Sequence, residues 1–136
     1  MSVGSISMHS TGSRVFSGGV WEEKYGYARA VVVGNRVIVS GCTASVGGEV
    51  HHIGDAYQQS LTAIDIALEA VVTGGLTCED VVMVRYYVVE QRHFDLVGRA
   101  IAEVFGGVRP ACTGVRVAGL VDPGMLVEIE IEAMRA

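Results

Sequence analysis

RPACTGVRVAGLVDPGMLVEIEIEA, residues 109–133, contains two period-two segments, and their reading decides the fold class. In the second, Val127, Ile129 and Ile131 alternate with Glu128, Glu130 and Glu132. Successive side chains of a strand point to opposite faces, so three aliphatics line one face and three carboxylates the other. The aliphatic face must meet a core. In the first segment Cys112, Gly114 and Arg116 share one face, and Thr113, Val115 and Val117 share the other.

Toward the N-terminus the period changes. Phe94, Val97, Ile101 and Val104 recur at helical spacing before Gly106-Gly107, and Val81 to Val89 is a nearly continuous apolar, β-branched and aromatic run. Arg85 is the one charge in that run. Further back, Asp55 is placed to cap a helix carrying Leu61, Ile64, Leu68, Val71 and Val72, which Gly74-Gly75 ends. Ala28 to Val33 and Arg36 to Ser40, joined at Gly34-Asn35, read as a hairpin, with a short strand starting at Arg14. Residues 1–13, rich in Ser and Gly and without a period, read as a mobile leader. Residues 14–136 are therefore expected to form one α+β domain, a sheet with two helices packed on one face.

Composition removes several functions. The 136 residues are 50% hydrophobic, and no apolar run approaches the roughly 20 residues of a membrane span. A soluble, cytoplasmic protein is expected. The net charge of −5, with ten scattered basic residues, opposes binding to phosphate backbones, so no nucleic-acid partner is expected. Lys24 lies beside Glu22 and Glu23, where nothing apolar would lower its pKa for Schiff-base chemistry. The three cysteines, Cys42, Cys78 and Cys112, lack paired spacing and read as free thiols.

No phosphate-loop, dinucleotide, zincin or esterase motif occurs. His51-His52 is the one candidate metal pair, but adjacent residues point apart on a strand and no further ligand has the right spacing. No metal or cofactor is expected. The glutamates of the last strand have two readings, a solvated or ion-paired face and a line of carboxylates entering a cleft. Arg116 is one partner for them if the two C-terminal strands pair. Arg85, in an apolar strand, needs a counter-charge, because an unpaired buried charge costs several kcal/mol or about that. Cys42 and Cys112 sit at predicted strand ends, where a ligand reaches a thiol, yet neither has an identifiable base or cation to activate it.

Set in order, these segments resemble the Rid/YjgF family of reactive-intermediate (enamine/imine) deaminases, also described as endoribonuclease L-PSP proteins or translation inhibitors. The resemblance runs from about Tyr25 to Ala133. It rests on Gly26-Tyr27, Val39-Ser40-Gly41, Gln58-Gln59-Ser60-Leu61 leading to Gly74-Gly75-Leu76, Glu79-Asp80-Val81-Val82, the Phe105 to Pro110-Ala111 junction and Val127-Glu128-Ile129-Glu130. It implies a chorismate-mutase-like fold in a homotrimer, with strands forming a central barrel and small-molecule clefts between subunits. It also implies cofactor-independent hydrolysis of a 2-imino acid or its enamine to the 2-oxo acid and ammonia.

By position the resemblance places the pocket-lining Tyr on Tyr27, the Ser-Gly pair on Ser40 and Gly41, and the water-positioning catalytic Glu on Glu128. The Arg that grips the substrate carboxylate falls on Cys112, and a Gln common after Ser-Gly falls on Cys42. The substrate-binding set is then Tyr27, Ser40, Gly41, Cys42, Cys112 and Gly114, with Arg85 and Arg109 as cations able to replace the missing clamp. Two functions remain open, a hydrolase of C=N bonds with altered substrate preference and a noncatalytic metabolite-binding or regulatory trimer. An endoribonuclease is a third, disfavoured by the acidic charge.

Overall fold

The structure, a computed structural model, describes residues 4–9 and 12–136. A mixed seven-stranded sheet runs in the order β1 (Ser5–His9), β2 (Gly12–Phe16), β3 (Ala30–Val33), β4 (Arg36–Val39), β9 (Val127–Met134), β7 (Val81–Val88), β8 (Ala111–Arg116). All neighbours are antiparallel except β7 and β8. Those two are parallel, so the chain must cross over between them, and it does so through α3 (Phe94–Phe105). A separate two-stranded hairpin, β5 (Ser45–Val46) and β6 (Glu49–Val50), turns at Gly47 and Gly48, both at positive φ, in what the sequence presented only as a Gly-rich loop.

The alternation of β9 is realised as read: Val127, Ile129 and Ile131 are fully buried, and the three glutamates are not. The β3–β4 hairpin turns at Gly34-Asn35 with Gly34 at φ 57°. Helix α2 (Ala56–Thr73) starts where expected, the Asp55 side chain accepting a 3.0 Å bond from the Gln58 amide. Its packing face differs from the aliphatic stripe. Ala56, Ala63, Ala67 and Ala70 are buried with Ile64 and Val71, whereas Leu61 and Leu68 are half-buried and Val72 is exposed. A face of alanines lets the helix sit close to the sheet, and the larger residues fill its flanks.

Two features of the chain's start depart from the expectation. Residues 5–9, read as part of a leader, form β1, an edge strand paired with β2. Its two apolar residues, Ile6 and Met8, are exposed, so the strand has no buried face to announce it. A third helix, the single-turn α1 (Val20–Tyr25), precedes Gly26, whose φ of 74° ends it. At the other end β8 pairs with β7 and not with β9, so Arg116 meets no glutamate of the last strand. Its Nε donates instead to the Val89 carbonyl at 3.2 Å.

Among the described residues no helix is long and apolar enough to cross a membrane.

Candidate functional site

The site is built where β4 ends against β9. The Cys42 amide donates to Ile129 O at 2.7 Å and the Ile129 amide returns a bond to Cys42 O at 2.9 Å, which prolongs the pairing beyond β4. Between these anchors, Gly41 lies directly against Glu128. A Cβ at position 41 would overlap the Glu128 carboxylate, so only glycine lets that carboxylate lie against the backbone there. The loop before β9 is fixed by the fully buried Gln59 of α2, which donates to Gly124 O at 3.0 Å and accepts from the Leu126 amide at 2.9 Å.

The three carboxylates of β9 have different surroundings. Glu132 is shared by Arg36 at 2.8 Å and Arg85 at 2.9 Å, and Glu130 accepts the Tyr87 hydroxyl. Among the described residues no hydrogen bond or ion pair engages Glu128. Burial pushes its carboxyl above the usual range, the nearby Arg29 partly opposes this, and Glu130 adds to it.

Glu128 opens onto a pocket of about 500 Å³. Its other walls include Tyr27, Gly41 and Cys42, with Trp21 and Tyr25 from α1. Ser40 supports it from behind, its hydroxyl donating to Ala28 O at 2.7 Å. Trp21 and Tyr25 stack with ring centroids 5.8 Å apart and planes within 4°. Lys24 lies 5.4 Å from the centroid of each ring.

Arg29 lines the same pocket, a residue that no motif or period singles out. It is only 8% exposed. Its Nη1 donates to Gly41 O at 2.7 Å and Ser40 O at 3.4 Å, and its Nε donates to Glu22 Oε2 at 3.3 Å. Glu22, 4% exposed, also accepts from the Ser17 amide at 3.0 Å and from the Ser17 hydroxyl. This chain of bonds ties α1 to the end of β4. The only earlier sign of Arg29 was a charge at the edge of an apolar strand; its partner Glu22 lies on a helix the periodicity did not reveal.

Cys42 is buried beside the guanidinium, Sγ to Nη1 3.2 Å. Burial raises its thiol pKa against the opposing pull of Arg29, so it stays protonated and donates to Ser40 O at 3.3 Å. It therefore fills space in the floor and is not an activated nucleophile.

The remaining candidates lie elsewhere in the chain. Arg85 is held by Glu132 on the strand face and does not line the pocket. Arg109, at φ 60°, and Cys112 line a second hollow of about 340 Å³ with Tyr86, Ile101 and Phe105. Gly114 sits under the Tyr86 ring, where a Cβ would collide with it, so its smallness serves that packing. His51 and His52 are exposed, and no group of three or more His, Cys, Asp or Glu side chains suited to a metal occurs among the described residues.

A family model described as Endoribonuclease L-PSP matches residues 22–135, a span that holds Glu22, Tyr27, Arg29, Gly41 and Glu128. The chain belongs to this family. It is 34% identical to a Mycobacterium tuberculosis member of the YjgF/YER057c/UK114 family, with a TM-score of 0.78 over 96% of this chain and all of that one. The E. coli YjgF gene product is 29% identical, TM-score 0.74, over 81% of this chain and 88% of its own. A Streptomyces coelicolor protein described as uncharacterised is 45% identical over 122 residues, 90% of this chain and 91% of its own. The L-PSP/YjgF fold is thus the frame in which the Glu128 pocket is read.

Proposed function

We propose that the Glu128 pocket hydrolyses the C=N bond of a small imine or enamine. The observation that carries this reading is a half-buried carboxylate that no described residue hydrogen-bonds or pairs with, lying on glycine backbone and facing a pocket of about 500 Å³. A carboxylate raised above its ordinary proton affinity is a better base near neutral pH. In the proposed reaction Glu128 takes a proton from water as the water oxygen bonds to the iminium carbon. The carbinolamine then receives that proton on nitrogen, the C–N bond breaks to release ammonia, and the hydroxyl proton passes by way of Glu128 to that ammonia, giving a carbonyl and ammonium. No redox partner or cofactor enters the balance.

The assembly belongs to the same proposal. In a homotrimer the hollow holding Arg109 and Cys112 would meet the Glu128 pocket of a neighbour, so that one cleft draws on both. Cys112, where the family resemblance places a carboxylate-gripping Arg, offers no bidentate donor pair, and this is the reason for proposing an altered substrate preference.

The test is a panel of imines generated in place by amine and amino-acid oxidases, with ammonia release followed against buffer. Acceleration of at least one member supports hydrolysis. A ligand that raises Tm while no member is accelerated supports the noncatalytic metabolite-binding reading in its place. The pocket's charge disfavours RNA cleavage: its lining residues include one cation, Arg29, which is paired with Glu22.

A further inference from the structure

We infer that this pocket selects imines bearing an aromatic or bulky apolar group and no carboxylate; the inference rests on the hydrolase reading above and names its substrate class.

The charge of the site comes first. Of the residues lining the pocket, Arg29 and Glu128 alone are charged. The Arg29 guanidinium is committed: Glu22 neutralises it at 3.3 Å, and the Gly41 and Ser40 carbonyls take Nη1. A substrate carboxylate would have to displace Glu22 from a position where it is 4% exposed and further held by Ser17. Lys24, the other cation nearby, is not a lining residue and rests over the Trp21 and Tyr25 rings. With Glu128 ionised, as a base must be, this chain's part of the cleft presents net negative charge. An anionic substrate meets repulsion there, whereas a protonated imine meets attraction. Arg109, in the hollow that the proposed trimer would bring to the same cleft, is a cation that would oppose it, and faster consumption of the carboxylated imine is the result that would show it doing so.

The walls point the same way. Trp21 and Tyr25 stack as a flat double ring on one side, and Val46, Ile66, Val121 and Met125 supply aliphatic surface. Flat π-faces and aliphatic surface reward a ring or branched chain on the ligand. A three-carbon imino acid would leave that surface unused.

The chemistry also limits what can supply such a substrate. An imine R–CH=NH2+ without an α-carboxylate arises by two-electron oxidation of a primary amine. An oxygen-dependent amine oxidase does this: R–CH2–NH3+ and O2 give R–CH=NH2+ and H2O2. Hydrolysis in the pocket, R–CH=NH2+ plus H2O to R–CHO plus NH4+, then clears the imine. The reaction upstream of this protein is therefore an amine oxidation, not an amino-acid dehydration.

A matched pair tests this. 2-Phenylethylamine with an amine oxidase and L-phenylalanine with an L-amino-acid oxidase yield imines differing only in the carboxylate, and semicarbazide trapping reports how fast each is consumed. The expected result is a preference for the decarboxylated imine on the order of tenfold to a hundredfold, the size of one unscreened like-charge contact at partly buried separation. Equal rates, or faster consumption of the carboxylated imine, overturn the inference and leave the hydrolase reading standing. No acceleration of either overturns the inference, and acceleration of no member of the wider imine panel overturns the hydrolase reading with it. Tyr25→Ala provides a second readout, because Tyr25 is 61% exposed and its removal leaves the core intact. It should raise KM for the phenyl imine by about two- to tenfold, and by more than it raises KM for the imine from propylamine. An equal change for both, or none for either, contradicts the role given to the aromatic wall.

Discussion

Replacing Arg29 with Met asks whether this guanidinium is a fixed strut or a free ligand-binding cation. The substitution keeps most of the volume but removes the donors to Gly41 O, Ser40 O and Glu22, leaving Glu22 buried with Ser17 as its remaining partner. Stranding one member of a buried pair costs about 3 to 5 kcal/mol. For a chain of this length the unfolding entropy makes 1 kcal/mol worth about 3.5 °C, so Tm should fall by roughly 10 to 17 °C. The assay is thermal unfolding at fixed protein concentration of Arg29→Met, Glu22→Gln and the double variant. Because the two groups are direct partners, the double variant should lose less than the sum of the singles by about 1.5 kcal/mol or more. A fall in Tm below about 4 °C for Arg29→Met, or strict additivity of the two singles, would refute the strut. Arg29 would then be free to hold a substrate anion, and the proposed selectivity would lose its basis.

Other outcomes follow from the same geometry. Gly41→Ala drives a methyl into the Glu128 carboxylate and should lower kcat/KM by about a hundredfold through misplacement alone, with most of the Tm retained. Gly114→Ala collides with the Tyr86 ring and should destabilise by about 1 to 3 kcal/mol, measured by denaturant unfolding. Since burial raises the Glu128 pKa in the folded state, its contribution to stability is full below the unfolded value and is lost as pH rises through the folded one. Wild type should therefore lose stability relative to Glu128→Gln across that interval, and the acid limb of the rate profile should lie above the ordinary glutamate value of 4.5. Cys112→Arg, at an exposed position, should leave Tm nearly unchanged and raise consumption of the carboxylated phenyl imine by about tenfold or more; an unchanged rate counts against the place given to residue 112.

How much of this was legible in the sequence depended on whether a residue's surroundings are local. The alternation through Val127 to Glu132 gave β9 its faces, Asp55 announced its cap, and Gly34-Asn35 its turn, because each signal needs only neighbours along the chain. Strand adjacency is not local. A period-two pattern says nothing about which strand lies alongside, so the place of β8 beyond β7, and with it the partner of Arg116, could not be read. Helix α1 is a single turn without a side-chain cap, too short to show a period. Missing it meant missing Glu22, Trp21 and Tyr25, and so the reason Arg29 is buried. Residues 5–9 are mostly exposed, Ile6 and Met8 included, and β1 owes its form to pairing with β2. The family resemblance brought Tyr27, Gly41 and Glu128 to notice, and the structure gathers these three around one pocket. It sets Arg109 and Cys112 around another, a division of the candidates that their positions along the chain do not announce.

The most direct measurement compares wild type and Glu128→Gln for ammonia release from the imine generated from 2-phenylethylamine. Removing a positioned base should reduce the enzyme-dependent rate by about a hundredfold to ten-thousandfold, while Tm at neutral pH holds or rises because an amide replaces a desolvated carboxylate. A Glu128→Gln protein that releases ammonia as fast as wild type would contradict the assignment of Glu128 and, with it, the hydrolase built around that pocket.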